Sequence, residues 1–428
     1  MNIPFKLAYN TTVQLIGKAI TTFSTVIIIY VLVIPKFSVG EFGVFNTILS
    51  YTALFYVFTD FGLNAIFVRE AGSDPEKQKE YFKKLLGLRL VASILVAFIA
   101  TAVLAFTNYP SLAKLGIIIG LGLIIAQTFS ATSLALFQAR IRYDQAVIAD
   151  TIGAVANLIL VFLAVRGFDS ILFVVAALVA GGAIRVLVAF YLVRFQLGEI
   201  SLAFDASFAR KIVLAALPIG LIFIFSQFNA QIDKQVVLLA NYKPSLDLTG
   251  VVAAGFYGFA YKIFELAIYL PAFVMNVGYP IMVQKKEAGI GSLISFTKKL
   301  AIALVFLGVV GLILGWVAAP FIFDVPIFQK FSPALLAIRI LFLGFPLFFV
   351  TPLTLWLAIT LGKTKEMLFV YGFAAAFNFV ANLTLVPSFG YNAAAVITIA
   401  SELLILLLSL GVLSISLRFK NEYLATEK

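Results

Sequence analysis

The chain has 428 residues, 62% of them hydrophobic and 12% charged; a soluble domain is about 45–50% apolar and about 25% charged, so lipid is the expected solvent. Cysteine and histidine are absent, which excludes disulfides, thiolate metal sites and cysteine nucleophiles, and removes the commonest general base and metal ligand. The net charge of +11 reads by position, as the loop bias of a membrane protein rather than a nucleic-acid surface.

Twelve apolar runs, each long enough to cross a bilayer, follow one another along the chain. They lie at roughly 10–34, 42–68, 85–107, 115–138, 146–165, 171–193, 212–240, 254–279, 300–319, 334–361, 367–386 and 391–415. The first is read as a span and not a cleaved signal: it contains Lys18, ends at Pro35-Lys36 and has no small-residue cleavage pattern after it. Breaks such as VIPKFSVGE, REAGSDPEKQKEYFKK and LGKTKE carry turn and charge signals. The run PEKQKEYFKK is expected at the cytoplasmic interface, drawn to anionic membrane lipid.

Orientation follows from Lys and Arg. With the N-terminus in the cytoplasm, the inside segments hold Lys6, Arg69, Lys77, Lys79, Lys83, Lys84, Arg89, Arg140, Arg142, Arg194, Arg210, Lys211, Lys285, Lys286, Lys298, Lys299, Lys363, Lys365, Arg418, Lys420 and Lys428. The outside loops hold only Lys36, Lys114, Arg166, Lys243 and Lys330. This bias predicts a multi-pass protein of the cytoplasmic membrane with both termini inside.

A weak internal repeat lays Gly43-Val44-Phe45 on Gly255-Phe256-Tyr257, each opening an even-numbered span. The expected fold is therefore all-α: about twelve transmembrane helices in two pseudo-symmetric six-helix lobes, residues 1–200 and 201–428, around a central cavity. Pro218, Pro271, Pro346 and Pro352 fall inside predicted spans, so the second lobe should hold the more bent helices.

Helical spacing groups the polar side chains. Gln14, Lys18, Thr21, Thr22 and Thr25 form one stripe on the first span, and Asn46, Ser50, Asp60 and Asn64 share a face of the second. On the seventh, Gln227, Gln231 and Lys234 make one stripe, while Ser226, Asn229 and Asp233 make another. Neighbours on a helix stand about 100° apart, so Asp233 and Lys234 must point in different directions. On the eighth, Tyr261, Lys262, Glu265, Tyr269 and Asn276 share a face, with Lys262 and Glu265 paired at i, i+3. A charge at the membrane centre costs roughly 2.5–3.5 kcal/mol even on the lenient scale, so these groups imply water, partners or a ligand. The functional reading is a wet cleft presenting Lys18, Lys234 and Lys262, joined by Arg185 and Arg339. The acids Asp60, Asp150, Asp233, Glu265 and Glu402 act in it as charge partners or proton carriers. The structural alternative has Lys18 and Lys262 snorkelling to headgroups. The 44 phenylalanines read as lipid-facing and packing bulk. No Gly-rich phosphate loop is present and GGAIR does not qualify, so neither direct ATP use nor a catalytic motif is indicated, and no cofactor or metal is called for.

Three segments carry a family resemblance. FGVF with TDFGLNAIFVRE, ALPIGLIFIFSQFNAQIDKQVV with GFYGFAYKIFEL, and NFVANLTLVPSFGYNAAAVITIASE resemble the second span, the seventh and eighth spans, and the eleventh-to-twelfth junction of the Wzx-type polysaccharide and O-antigen flippases. These belong to the multidrug/oligosaccharidyl-lipid/polysaccharide (MOP) exporter superfamily. Asp233-Lys234 stand at that family's acidic-basic position, and Asn392 replaces a more usual glycine. The resemblance implies a V-shaped transporter that flips an undecaprenyl-pyrophosphate-linked oligosaccharide between leaflets, with the pathway's glycosyltransferases and polymerase as partners. On that reading Lys18 and Lys234 hold the pyrophosphate, Gln14, Gln227, Asn229 and Gln231 bind sugar, and Asp233 or Glu265 orients a lysine. The competing reading is a MATE-like drug or metabolite antiporter, which would prefer an acidic cavity. An enzyme would need a long extramembrane loop, and a channel or structural protein is disfavoured by the repeat and the buried charges.

Overall fold

The computed structural model describes residues 3–72 and 74–426, with side chains outside 3–12, 15, 269, 272–273, 276–277 and 418–426. Tyr269, Asn276, Lys6, Arg418, Lys420 and Lys428 therefore lie outside the described side chains. Every regular element among the described residues is helical, and twelve helices are long and apolar enough to cross a membrane. The all-α fold with twelve spans is borne out. Internal contacts divide the chain into two compact units, Met1–Ile224 and Phe225–Lys428.

Local chemistry sets where the helices begin. Ser38 and Glu41 form a reciprocal capping box at the start of Val39–Asp60. Asp74 caps Pro75–Ala105 by accepting from the Glu76 and Lys77 N–H groups, with Pro75 where a missing N–H costs nothing. Thus PEKQKEYFKK is the first part of the third span rather than a separate segment. Asp205 does the same for the seventh span, Ala206–Leu239, accepting from Ser207 and Phe208 N–H at 2.9 and 3.0 Å.

Two spans of the first unit are irregular. The first widens into a π-helix over Ile27–Val33, just before Pro35, where an extra residue per turn relieves the clash of the proline ring with the preceding turn. The second breaks at Phe61 and Gly62, both at positive φ, between Val39–Asp60 and Leu63–Ala71. The spacing that put Asn64 on one face with Asp60 assumed an unbroken helix, so the break removes Asn64 from that phase. Pro218 and Pro271 lie inside uninterrupted helices, Ala206–Leu239 and Gly250–Glu287. The tenth predicted run, 334–361, is split at Gly344 into Leu335–Leu343 and Phe345–Thr360, with Pro346 in the first turn of the latter.

The helices bury one side and leave the other apolar side outward, as a lipid-facing bundle must. In the first unit Phe67, Phe82, Leu85, Leu136, Phe137 and Val193 pack into a core joining the second, third, fourth and sixth spans. The phenylalanines divide: Phe42, Phe45 and Phe264 are buried, while Phe98, Phe306 and Phe369 stand exposed. The fifth and sixth spans, Tyr143–Gly167 and Ile171–Leu197, pack through glycine: a Cβ on Gly153 would lie 2.6 Å from the Arg185 Cβ. Small residues at such a contact let membrane helices approach closely. Here the approach also sets Arg185 opposite Asp150.

Candidate functional site

Each unit holds its own buried charge cluster. In the first, Arg89 is fully buried on the third span. Its Nη2 donates to Asp60 Oδ1 at 2.9 Å and reaches the Asp60 carbonyl at 3.5 Å, and Nη1 donates to Thr132 Oγ1 at 3.3 Å. The break after Asp60 supplies that carbonyl, because the residues four further on do not continue the helix. Hydroxyls extend the cluster: Thr59 and Thr128 lie 2.7 Å apart, and Thr132 donates to the Thr128 carbonyl. Arg89 was counted above among the cytoplasmic basic residues. Its place is instead inside the third span, as the internal partner of Asp60. The signal was present in the sequence, since an apolar run follows it directly and charged residues inside a span require partners.

Arg185 and Asp150 pair at 2.6 Å between the sixth and fifth spans, with side chains 36% and 38% exposed. Tyr56, one turn before Asp60, lies within electrostatic range of Asp60, Arg89 and Arg185. The first unit thus assembles two Arg–carboxylate pairs from four spans. Gln14 and Lys18 stand exposed on the first span, and the Thr21 and Thr25 hydroxyls of the same stripe bond back to the carbonyls of Lys18 and Thr21.

The second unit answers where Asp233 and Lys234 point. Both are buried, and they take different partners. Asp233 Oδ2 accepts from Thr398 Oγ1 at 3.1 Å and from the Tyr257 hydroxyl, and Oδ1 accepts the Lys234 backbone N–H at 2.7 Å. Lys234 Nζ donates to Gln231 Oε1 at 2.8 Å and sits 3.7 Å from the centre of the Tyr261 ring, a distance at which a partly desolvated cation–π contact is worth about 0.5–2 kcal/mol. Tyr257 and Tyr261 are one turn apart on the eighth span, so one helix face receives both side chains. Lys262 and Glu265 pair at 2.7 Å, and Lys234 interacts electrostatically with Glu265, Asp233 and Lys262. Two cations and two anions from the seventh and eighth spans therefore offset one another in a tetrad of which Asp233 and Lys234 are buried and Lys262 and Glu265 partly so.

The remaining sequence candidates lie around this tetrad or apart from it. Gln227 and Asn229 are half-buried, and Asn229 Oδ1 is a buried acceptor with no described partner. Arg339 on Leu335–Leu343 lies over the Trp316 ring, 5.4 Å from its centre, and is not among the charges that act on Lys234. Spacing along one helix could not reveal Tyr257 and Thr398 as the Asp233 ligands, because they come from two other spans.

The sequence matches the family described as polysaccharide biosynthesis protein over residues 6–286. No functionally curated protein matches it. Among solved structures, an inward-facing multidrug resistance MATE family transporter of the MOP superfamily aligns with a TM-score of 0.72 at 12% identity, covering 94% of this chain and 95% of that one. An outward-facing transporter of the same description aligns at 0.66 and 15% identity, covering 97% and 96%. A MOP superfamily transporter from Pyrococcus furiosus, described as having a binding pocket of reverse polarity that suggests a different function, aligns at 0.64 and 14% identity, covering 96% and 95%. At these identities the likeness establishes the two-lobe fold of that superfamily.

Proposed function

The chain belongs to the polysaccharide biosynthesis protein family, and on that premise we propose that it is a flippase. It moves an undecaprenyl-pyrophosphate-linked oligosaccharide from the inner to the outer leaflet of the cytoplasmic membrane by alternating access, for cell-surface polysaccharide synthesis. The observation that carries this is the family match across the first eight spans of a chain with the MOP fold.

The charge chemistry supports the reading. A pyrophosphate is anionic and must cross a low-dielectric region, where basic side chains stabilise it. Lys262, Arg89 and Arg185 each pair with a carboxylate and Lys234 lies within electrostatic range of Glu265 and Asp233, and a cation so placed can exchange its partner for phosphate. Lys18 and Lys234 are the proposed pyrophosphate ligands, with Gln14, Gln227, Asn229 and Gln231 serving the sugar. Both termini lie in the cytoplasm on the Lys and Arg bias, and the pathway's glycosyltransferases and polymerase are the expected partners. A MATE-like antiporter is the second reading, favoured by the structural neighbours' descriptions.

Lipids extracted from a deletion strain and analysed by mass spectrometry test the two. Accumulation of a lipid-pyrophosphate-linked oligosaccharide with loss of surface glycan, reversed by the intact gene and not by the double variant Lys18→Ala/Lys234→Ala, is the expected result. An intact surface glycan without accumulation, together with new sensitivity to cationic dyes, would replace the flippase by the antiporter. Normal transport by the stably expressed double variant would remove the two lysines from the site.

A further inference from the structure

Arg89, Arg185 and Lys262 each pair with a carboxylate, and Lys234 lies within electrostatic range of two. Arg339 does not share this provision. It forms no ion pair and no hydrogen bond among the described residues, and its Nε is a buried donor without an acceptor. Asp324, the nearest acid along the chain, stands exposed and forms no ion pair among those residues. What Arg339 does meet is the Trp316 ring, 5.4 Å from its centre. A guanidinium carries five N–H donors in one plane, and a ring stacked on that plane leaves the donor edge unused.

The place of the pair in the bundle follows from the helices that carry it. Trp316 is in the last turn of the ninth span, Ile290–Ala318. Arg339 is four residues into Leu335–Leu343, about 6 Å from its start at 1.5 Å per residue. The connection just before that helix is level with another helix end, because the hydroxyl of Tyr391, first residue of the twelfth span Tyr391–Leu417, donates to the Pro333 carbonyl at 2.7 Å. The two helices approach through Gly315, where a Cβ would lie 2.0 Å from the Phe342 ring. Trp316 and Arg339 therefore meet close to one end of the bundle, at the depth where tryptophans line the boundary between headgroups and acyl chains.

Their neighbours show which way the pair faces. Leu336 and Leu343, three residues before and four after Arg339, share its side of the helix and are exposed. Ile313 and Val317 beside Trp316 are exposed too, on the least buried of the twelve spans. A surface of leucine, isoleucine and valine faces acyl chains and not a water-filled cleft. A cation on such a surface needs a counter-ion, and the described residues supply none. The oxygens of a phosphodiester fit the free edge of a guanidinium, taking two parallel N–H bonds.

We propose that Arg339 and Trp316 form a binding site for a membrane phospholipid on the outward face between the ninth and tenth spans. The guanidinium holds the phosphate, and Leu336, Leu343, Ile313 and Val317 receive the acyl chains. On this reading Arg339 serves lipid and not the cleft of the transported cargo.

Fluorescence quenching on the purified full chain tests this. Trp356→Phe leaves Trp316 as the one tryptophan. The protein is placed in vesicles of a phosphate-free glycosyl diacylglycerol, with a minor fraction of lipid brominated on its acyl chains. That fraction is either phosphatidylglycerol or the glycolipid itself. Brominated phosphatidylglycerol should quench Trp316 several-fold more than the brominated glycolipid at the same fraction. Arg339→Gln should abolish the excess, and Lys330→Gln, which removes a cation of the neighbouring connection, should keep it. Equal quenching by the two lipids in the protein with Arg339 intact would overturn the site, whether or not any Arg339 variant folds. Loss of the excess in both variants would reduce it to diffuse attraction and overturn it too. Relief by inorganic phosphate, beyond that by chloride at equal ionic strength, would overturn the lipid in favour of a soluble anion. No oligosaccharide enters the measurement, so failure of this site and failure of the flippase reading are separate results.

Discussion

Removing the Asp60 carboxylate should be far more damaging than removing the Arg89 guanidinium, although both changes delete the same ion pair. Arg89 is fully buried, whereas the Asp60 side chain is 31% exposed. Asp60→Ala leaves the buried cation with only the Thr132 hydroxyl at 3.3 Å and a carbonyl at 3.5 Å. Orphaning a buried charge costs about 3–5 kcal/mol. Arg89→Met keeps most of the stem volume and leaves a carboxylate that can reach water, at the low end of the about 1–3 kcal/mol for an unmade hydrogen bond. The double variant should recover much of the loss, giving a coupling of about 2 kcal/mol or more in a double-mutant cycle. Intrinsic fluorescence would read the wrong half, since Trp316 and Trp356 both lie in the second unit. The chain has no cysteine, so Ser93→Cys, fully buried one turn after Arg89, is a clean local reporter. At about 1.4 kcal/mol per tenfold change, Asp60→Ala should raise the maleimide labelling rate of that thiol by about two to three and a half orders of magnitude, and Arg89→Met by about one. Equal rates in the two single variants would refute the assignment of Arg89 as a buried cation dependent on Asp60.

Three further outcomes follow from the geometry. Gly153→Ala places a methyl 2.6 Å from the Arg185 Cβ, and such overpacking should cost about 1–3 kcal/mol; thermal unfolding in detergent at wild-type temperature would show that the fifth and sixth spans are not closely packed there. Tyr257→Phe removes one of three donors to Asp233, and should lower stability by about 1.5–3 kcal/mol, the range for a hydrogen bond to a charged group. Trp356 fluorescence during unfolding reads this change, and an unchanged midpoint would remove Tyr257 from the site. The Phe208 backbone N–H and then Lys84 hold the Asp205 carboxyl below the usual carboxylate range. A depressed pKa contributes stability that is present above the unfolded value and lost as pH falls through the folded one. Asp205→Ala should therefore melt below wild type at neutral pH, with the gap closing in acid, and a gap independent of pH would contradict the capping role.

The membrane class, the twelve helices and the absence of histidine or cysteine chemistry were decided by the sequence alone, because hydropathy and composition are properties of short windows that folding does not alter. Helical phase also separated Asp233 from Lys234 correctly, since one unbroken helix, Ala206–Leu239, carries both. Phase failed at Asn64, where Phe61 and Gly62 interrupt the second span. Partner identity was beyond reach for a different reason. Asp60 meets Arg89 from the third span, and Asp233 meets Tyr257 and Thr398 from the eighth and twelfth. A charge in a span announces its need for a partner through its desolvation cost, but which side chain meets that need is set by helix packing between residues far apart in the chain, and only the tertiary structure supplies that.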